Sequence, residues 1–346
     1  MIVPTTHAVA LLLTILAMIA WGSWATTYRM AGKWRFELYY YDVMLGFAVA
    51  AVIAVFTFGS LGNDLSFMDN FLIAGRMKMA EAILSGLIAN LATILLVAAV
   101  SVAGLCVAFP ISFGVALVAD LLWNAWSGTQ AHPVWWIPGA VLVLIAVVMD
   151  AMAWNTQAPH RKPVFVDAPP PARGVPKLAP RRPTGTKAIL LSVFSGLLFG
   201  VFFPLAAETQ TGDNGLGAYS LLFLIALGVF VSTFIYNIYF LNLPVQGPTL
   251  GMMEYFHGNK KQHALGLLGG AILCAGLAMF LATRNLPRTV TAGATGFALV
   301  QLAPVLAALW GLLVWKETAD AGPGVKRLML AVVLFYATGV GLVGMG

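Results

Sequence analysis

The chain has 346 residues, of which 60% are hydrophobic and only 9% charged, with a formal net charge of +6. A soluble domain carries roughly 25% charged residues, so a water-soluble globule is excluded. Apolar runs of about twenty residues recur along the whole length, and a bilayer admits such runs only as helices that satisfy their own backbone groups. A membrane β-barrel would need a polar residue at every second position, and these runs lack that alternation.

The expected fold is an all-α polytopic membrane protein with ten transmembrane helices. In chain order the predicted spans are His7–Met30, Leu38–Gly59, Met79–Val100, Val102–Trp123 and Val134–Trp154, then Lys187–Ala207, Gly217–Leu241, His263–Thr283, Thr291–Trp315 and Leu328–Val343. The first Lys or Arg is Arg29. No basic segment precedes the first apolar run, which therefore reads as a retained span rather than a signal peptide.

Residues 155–186 form the one long non-apolar stretch. It holds eight prolines, from Pro159 to Pro183, and several basic residues. A segment with so little to bury reads as an extended linker. It divides the chain into a first five-helix repeat (1–154) and a second (187–346). An odd number of spans per half makes the second half enter from the opposite face, so repeated halves are inverted repeats, a transporter architecture. The halves share texture: Gly22 and Ser23 in the first span against Gly196 and Gly200 in the sixth, and Pro110 in the fourth against Pro304 in the ninth.

Basic residues set the expected orientation. Loops on the linker side hold fifteen of the 19 Lys and Arg residues, and the other side holds Arg76, Lys78, Arg284 and Arg288. The positive-inside rule then places the linker in the cytoplasm and both termini outside, in a cell (inner or plasma) membrane.

No hydrolase, zinc-protease or phosphate-loop motif is present. An enzyme is not expected, nor a metal or other cofactor. Nucleic acid is not an expected partner, because the basic residues are accounted for by orientation. The expected partners are the lipid bilayer, a small polar solute and a coupling ion. Cys106 and Cys274, deep in apolar runs, read as inert small core residues. His257 and His263 read as solvated loop histidines, and Asp150 and Glu208 as solvated loop-border acids.

Polar groups at mid-depth carry the functional expectation, because each is costly in lipid and faces the bundle interior. Asn90 lies eleven residues past Met79, and Gln301 ten past Thr291. The first span carries Trp21-Gly22-Ser23-Trp24-Ala25-Thr26-Thr27, a wall of two indoles and three hydroxyls. The expected substrate-binding residues are Trp21, Trp24, Asn90, Ser112 and Gln301. The expected proton-coupling acids are Asp42 first, then Glu81 and Asp120. Trp135, Trp136 and Trp154, at span ends, read as an interfacial belt. Pro110, Pro204 and Pro304 each free a carbonyl one turn earlier: those of Cys106, Gly200 and Val300.

Several pieces in order resemble the ureide permease family of the drug/metabolite transporter superfamily. They are Tyr41-Asp42 ahead of the run ending Thr57-Phe58-Gly59, Asn90-Leu91-Ala92-Thr93, Tyr236-Asn237-Ile238 with Pro244-Val245, and Gln301-Leu302-Ala303-Pro304 followed by Trp310-Gly311 and Trp315-Lys316-Glu317. The resemblance implies ten helices, a long cytoplasmic loop after the fifth, and proton-linked uptake of ureides and nucleobases such as allantoin and uracil. The linker lacks the nucleotide-binding-like motif described for plant members, so ATP-driven transport is not implied. Families on the same scaffold supply the alternatives: a proton-coupled sugar symporter, or a drug/metabolite exporter.

Overall fold

The computed structural model describes residues 1–62, 65–128, 133–157, 185–284 and 294–345. Ten helices in it are long and apolar enough to cross a membrane: α1 His7–Met30, α2 Phe36–Phe56, α3 Arg76–Ala103, α4 Leu105–Trp126, α5 Val134–Gln157, α6 Gly185–Glu208, α7 Ala218–Asn242, α8 Lys260–Arg284, α9 Gly296–Val314 and α10 Pro323–Val343. The protein is an all-α, multi-pass membrane protein. All ten predicted spans are present, five of them longer than expected and two, the second and the ninth, shorter. The predicted linker falls almost wholly on residues 158–184, outside the described ones, as do the residues 291–293 that were expected to open the ninth span.

Lipid-facing positions explain the large apolar side chains left uncovered, such as Leu12, Ile53, Phe56 and Phe194. Interior faces are built from small residues that let helices approach. On α2 and α8 the approach is reciprocal. A methyl at Gly46 would run into the Leu267 backbone, and one at Gly270 into the backbone of Val43 and Phe47. The α3/α7 pair repeats the device, with Gly86 against Ile225 and Gly228 against Ile83. Without a hydrophobic drive between helices in lipid, close backbone packing of this kind supplies much of the association.

The main helix contacts map onto themselves when the halves are exchanged. α2 packs on α8 as α7 packs on α3, α1 packs on α8 and α9 as α6 packs on α3 and α4, and α5 packs on its counterpart α10. The glycines shared by α1 and α6 play matching parts. A methyl on Gly22 would lie 2.7 Å from the Ala303 carbonyl oxygen of α9, and one on Gly196 would strike the Ser112 carbonyl of α4.

Two helices are locally interrupted and two others are tightly joined. α1 breaks at Trp24–Ala25, and two hydroxyls take up the freed carbonyls: Thr26 Oγ1 donates to Ser23 O at 2.6 Å, and Thr27 Oγ1 to Trp24 O at 2.7 Å. α9 breaks at Gln301–Leu302, next to Pro304, and its linker-side end, Trp310–Val314, is a π-helix. Pro110 and Pro204 sit inside continuous helices. α3 and α4 are joined by one residue, Gly104, at φ +98°, a backbone region that disfavours any side chain.

Candidate functional site

A cavity lies at mid-depth, enclosed by α1, α2, α3, α4, α6, α7 and α8, so that both halves contribute walls. Its volume is about 50 Å³. A buried water needs roughly 10–15 Å³ on such a measure, so the cavity suits a few waters or a small solute. The walls are aromatic. Phe113 and Phe199 stack at 5.1 Å and Phe199 on Phe203 at 6.3 Å, while the Trp21 ring lies 6.0 Å from Phe203 and 5.2 Å from Phe280. Aromatic faces and edges carry opposite partial charges, so such a lining can sandwich a flat polar molecule without itself holding a charge.

Two polar atoms matter at this lining. The indole Nε1 of Trp21 is buried and has no hydrogen-bond partner. It packs against Gly276 of α8, where a Cβ would lie 2.8 Å from it, and it is a donor left without an acceptor. Thr93 donates its hydroxyl proton to Ala89 O at 2.7 Å, which leaves oxygen lone pairs to accept.

Of the five residues expected to bind substrate, Trp21, Trp24 and Asn90 line this one cavity. Asn90 is already engaged. Its amide nitrogen lies 3.1 Å from Val229 O, 2.7 Å from Ser232 Oγ and 3.1 Å from Thr233 Oγ1, and its carbonyl oxygen accepts from Tyr40 Oη at 2.7 Å. Its first task is to tie α2, α3 and α7. Ser112 is not among the lining residues. Its hydroxyl meets Ser195 Oγ at 2.8 Å, and Ser195 donates onward to Ala92 O at 2.8 Å, joining α4, α6 and α3. Gln301 is buried at the α9 break with its Nε2 unpartnered, also off the cavity lining. The Ser23 hydroxyl accepts from Trp310 Nε1 at 3.0 Å rather than forming a wall.

The linker-side ends of the helices carry two clusters of buried charge. Glu317, just past α9, caps the N-terminus of α4: its oxygens accept from Leu105 N at 3.0 Å and Cys106 N at 2.9 Å. The same carboxylate pairs with Arg29 of α1. Burial opposes ionisation of Glu317, but the Arg29 charge and the Cys106 hydrogen bond outweigh it and hold the carboxyl below its ordinary range. Only a glycine at 104 leaves room, since a Cβ there would lie within 2.6 Å of the Glu317 carboxyl atoms.

A second cross-half cluster surrounds Asp42. Tyr255 Oη donates to Oδ1 at 2.5 Å, and His263 Nδ1 meets Oδ2 at 2.9 Å. The Tyr255 phenol is pushed up by burial, and by its hydrogen bond to Asp42 and that group's charge. His263 was expected to be a solvated loop residue. It instead opens α8, packed edge-on to Trp34 at 4.8 Å. His257 is exposed beside Glu254. Nearby, Arg35 clasps Glu37 at 2.6 Å and donates to Pro248 O at 2.6 Å.

The other two acids expected to couple protons differ from Asp42. Glu81 is partly exposed, 3.9 Å from Lys78. Asp120 is buried near the opposite end of α4, where Asn124 Nδ2 donates to one oxygen at 3.1 Å and the other is unpartnered. Sequence reasoning also misplaced two residues of α5. Trp154, expected in the interfacial belt, is fully buried and donates to Gly185 O at 2.9 Å. Asp150, expected to be solvated, is 0% exposed. Trp135, at 41% exposure, does fit the belt.

No family model matches the sequence, and no curated protein matches it. A crystal structure described only as that of a protein is similar over 97% of this chain and 96% of its own, with a TM-score of 0.50 and 14% identity. Likeness at that identity concerns the fold: the ten-helix arrangement recurs, end to end, in another solved protein.

Proposed function

We propose that the protein is a secondary transporter that takes up a small, flat, polar solute in symport with protons, across a membrane whose cytoplasmic face carries the linker. The observation that carries this reading is the mid-depth cavity between the halves, with aromatic rings and the Trp21 indole, whose N–H is unpartnered, in its lining. Inverted-repeat carriers bind at that place. A carbonyl-rich heterocycle of the ureide or nucleobase kind offers the acceptor this donor lacks, and a flat face for the phenyl rings. The sugar alternative fits less well, because a lining with so few free donors and acceptors would leave most of a sugar's hydroxyls unpaired. The linker-side locks at Glu317 and Asp42 join residues of both halves, as a gate between two moving bodies does.

A thermal-shift series on the purified protein with uracil, allantoin and glucose tests the reading. Binding raises the melting temperature with the logarithm of ligand excess. Uracil or allantoin should give a concentration-dependent rise and glucose none. Trp21→Phe keeps the ring and deletes the donor, and should weaken binding by about two- to tenfold, the worth of one net hydrogen bond. Equal shifts with all three compounds, or with none, would refute the assigned substrate class.

A further inference from the structure

Five acidic residues are buried among the described ones, and four of them have partners. Glu37 has Arg35, Asp42 has Tyr255 and His263, Asp120 has Asn124, and Glu317 has Arg29 and two backbone N–H groups. Asp150 is the fifth. It lies seven residues before the linker-side end of α5, 0% exposed, and neither carboxyl oxygen has a hydrogen-bond partner.

An ionised carboxylate with no donor in an apolar interior is among the costliest groups a protein can bury. The elements packed against α5 offer little relief. α4 carries Cys106 and, at its far end, Asp120; α6 carries Lys187, whose ammonium is spent on Val245 O at 2.6 Å; α10 carries buried Tyr336, with Lys326 and Arg327 exposed in its first turn. Gln157 Nε2, two turns further along α5, donates to the Glu317 backbone oxygen at 2.9 Å, which seats the Arg29–Glu317 pair at the linker-side end of α5. Glu317 has a guanidinium and a helix N-terminus to hold its charge, whereas nothing donates to Asp150, and a carboxyl buried without a donor is accommodated as the neutral acid.

We infer that Asp150 is the proton-carrying group of the transport cycle, kept from linker-side water by the Arg29–Glu317 latch. This rests on the reading of the chain as a proton-coupled carrier. When the latch parts, water reaches α5, the Asp150 O–H bond breaks, the proton leaves as hydronium, and the carboxylate remains. The latch re-forms after a proton returns to Asp150, because closing over an ionised, donor-free carboxylate is unfavourable. Proton binding and closure are thereby linked in both directions.

Infrared difference spectroscopy at neutral pH tests the protonation without any solute. The parent should show a carboxylic C=O band, sensitive to exchange into D2O, that Asp150→Asn removes. The band should also fall in a doubly neutral latch variant, Arg29→Gln with Glu317→Gln, as water enters. In proteoliposomes with an imposed pH gradient, Asp150→Asn should lower uracil accumulation by about tenfold or more and retain uracil exchange. If Asp150→Asn does not fold, Asp150→Ser takes its place in every arm. The inference is overturned by a spectrum with no Asp150-dependent band, by a band unmoved in the latch variant, or by full accumulation in the Asp150 variant. A parent that accumulates no uracil defeats the substrate assignment alone, since the infrared arm still decides the state of Asp150.

Discussion

A buried amide or indole is judged by what its atoms lack, not by its depth. Trp21 and Asn90 sit at one cavity, yet only the indole has an unspent donor; the amide of Asn90 bridges three helices. Asn90→Ala should therefore act first on stability. Tyr40 keeps the backbone oxygen of residue 90 and Ser232 keeps Gly228 O as acceptors, so the loss is that of the amide's own hydrogen bonds, about 0.5–1.5 kcal/mol each, and thermal unfolding in detergent should register a lowered midpoint before any solute is added. An unchanged midpoint would place the role of Asn90 in binding after all. Depth and polarity made Trp21, Trp24 and Asn90 legible in the sequence. The partners of His263 and Glu317 were not, because Asp42 lies 221 residues from His263 and Cys106 lies 211 from Glu317. Asp150 was misread for the same reason: seven residues from a span end looks wet until α10 and Glu317 are placed around it.

At the scale of the element, the join between α3 and α4 shows sequence and packing acting together. A single glycine at positive φ turns the chain, exposes the first N–H groups of α4, and leaves space for the Glu317 carboxylate that caps them. A helix N-terminus favours an anion, and here the anion comes from the other half of the chain. Glu317 is held below its ordinary range, so its contribution to stability is complete above the unfolded carboxylate value of about 4.3 and is lost as pH falls through the lower folded value. Glu317→Gln should lower the melting midpoint at neutral pH, by an amount worth about 1.5–3 kcal/mol for the charged hydrogen bonds. The gap between parent and variant should close on acidification below that value. A gap constant with pH would mean that the ionised form of Glu317 does not bear the load. Proline placed the break in α9 correctly to within one turn. The break in α1 has no proline to announce it, only Gly22, Ser23 and the two threonines that satisfy its carbonyls.

For the molecule as a whole, composition was sufficient for the ten spans, and their number was legible without any structure. The pairing of helices across halves was not, because sequence similarity between the halves is too weak to carry register. The charge count, fifteen basic residues against four, is the basis for the proposed cytoplasmic face, and labelling decides it. An impermeant thiol reagent added outside should modify the variant Met345→Cys and spare Arg173→Cys. The native Cys106 and Cys274 are buried and should give little background. Modification of Arg173→Cys alone would invert the orientation, and with it the side to which Asp150 yields its proton.

The reciprocal glycine contacts have a mechanical corollary. Each tightly knit pair, α2 with α8 and α3 with α7, takes one helix from each side of the linker. The halves are thus laced together by packing. A chain nicked in the linker should stay whole. Co-expressed fragments 1–157 and 185–346, with a tag on one, should purify together and melt as one unit, whereas either fragment made by itself should aggregate. Co-purification of the two fragments would show that interlocked surfaces alone hold two bodies together as a single machine.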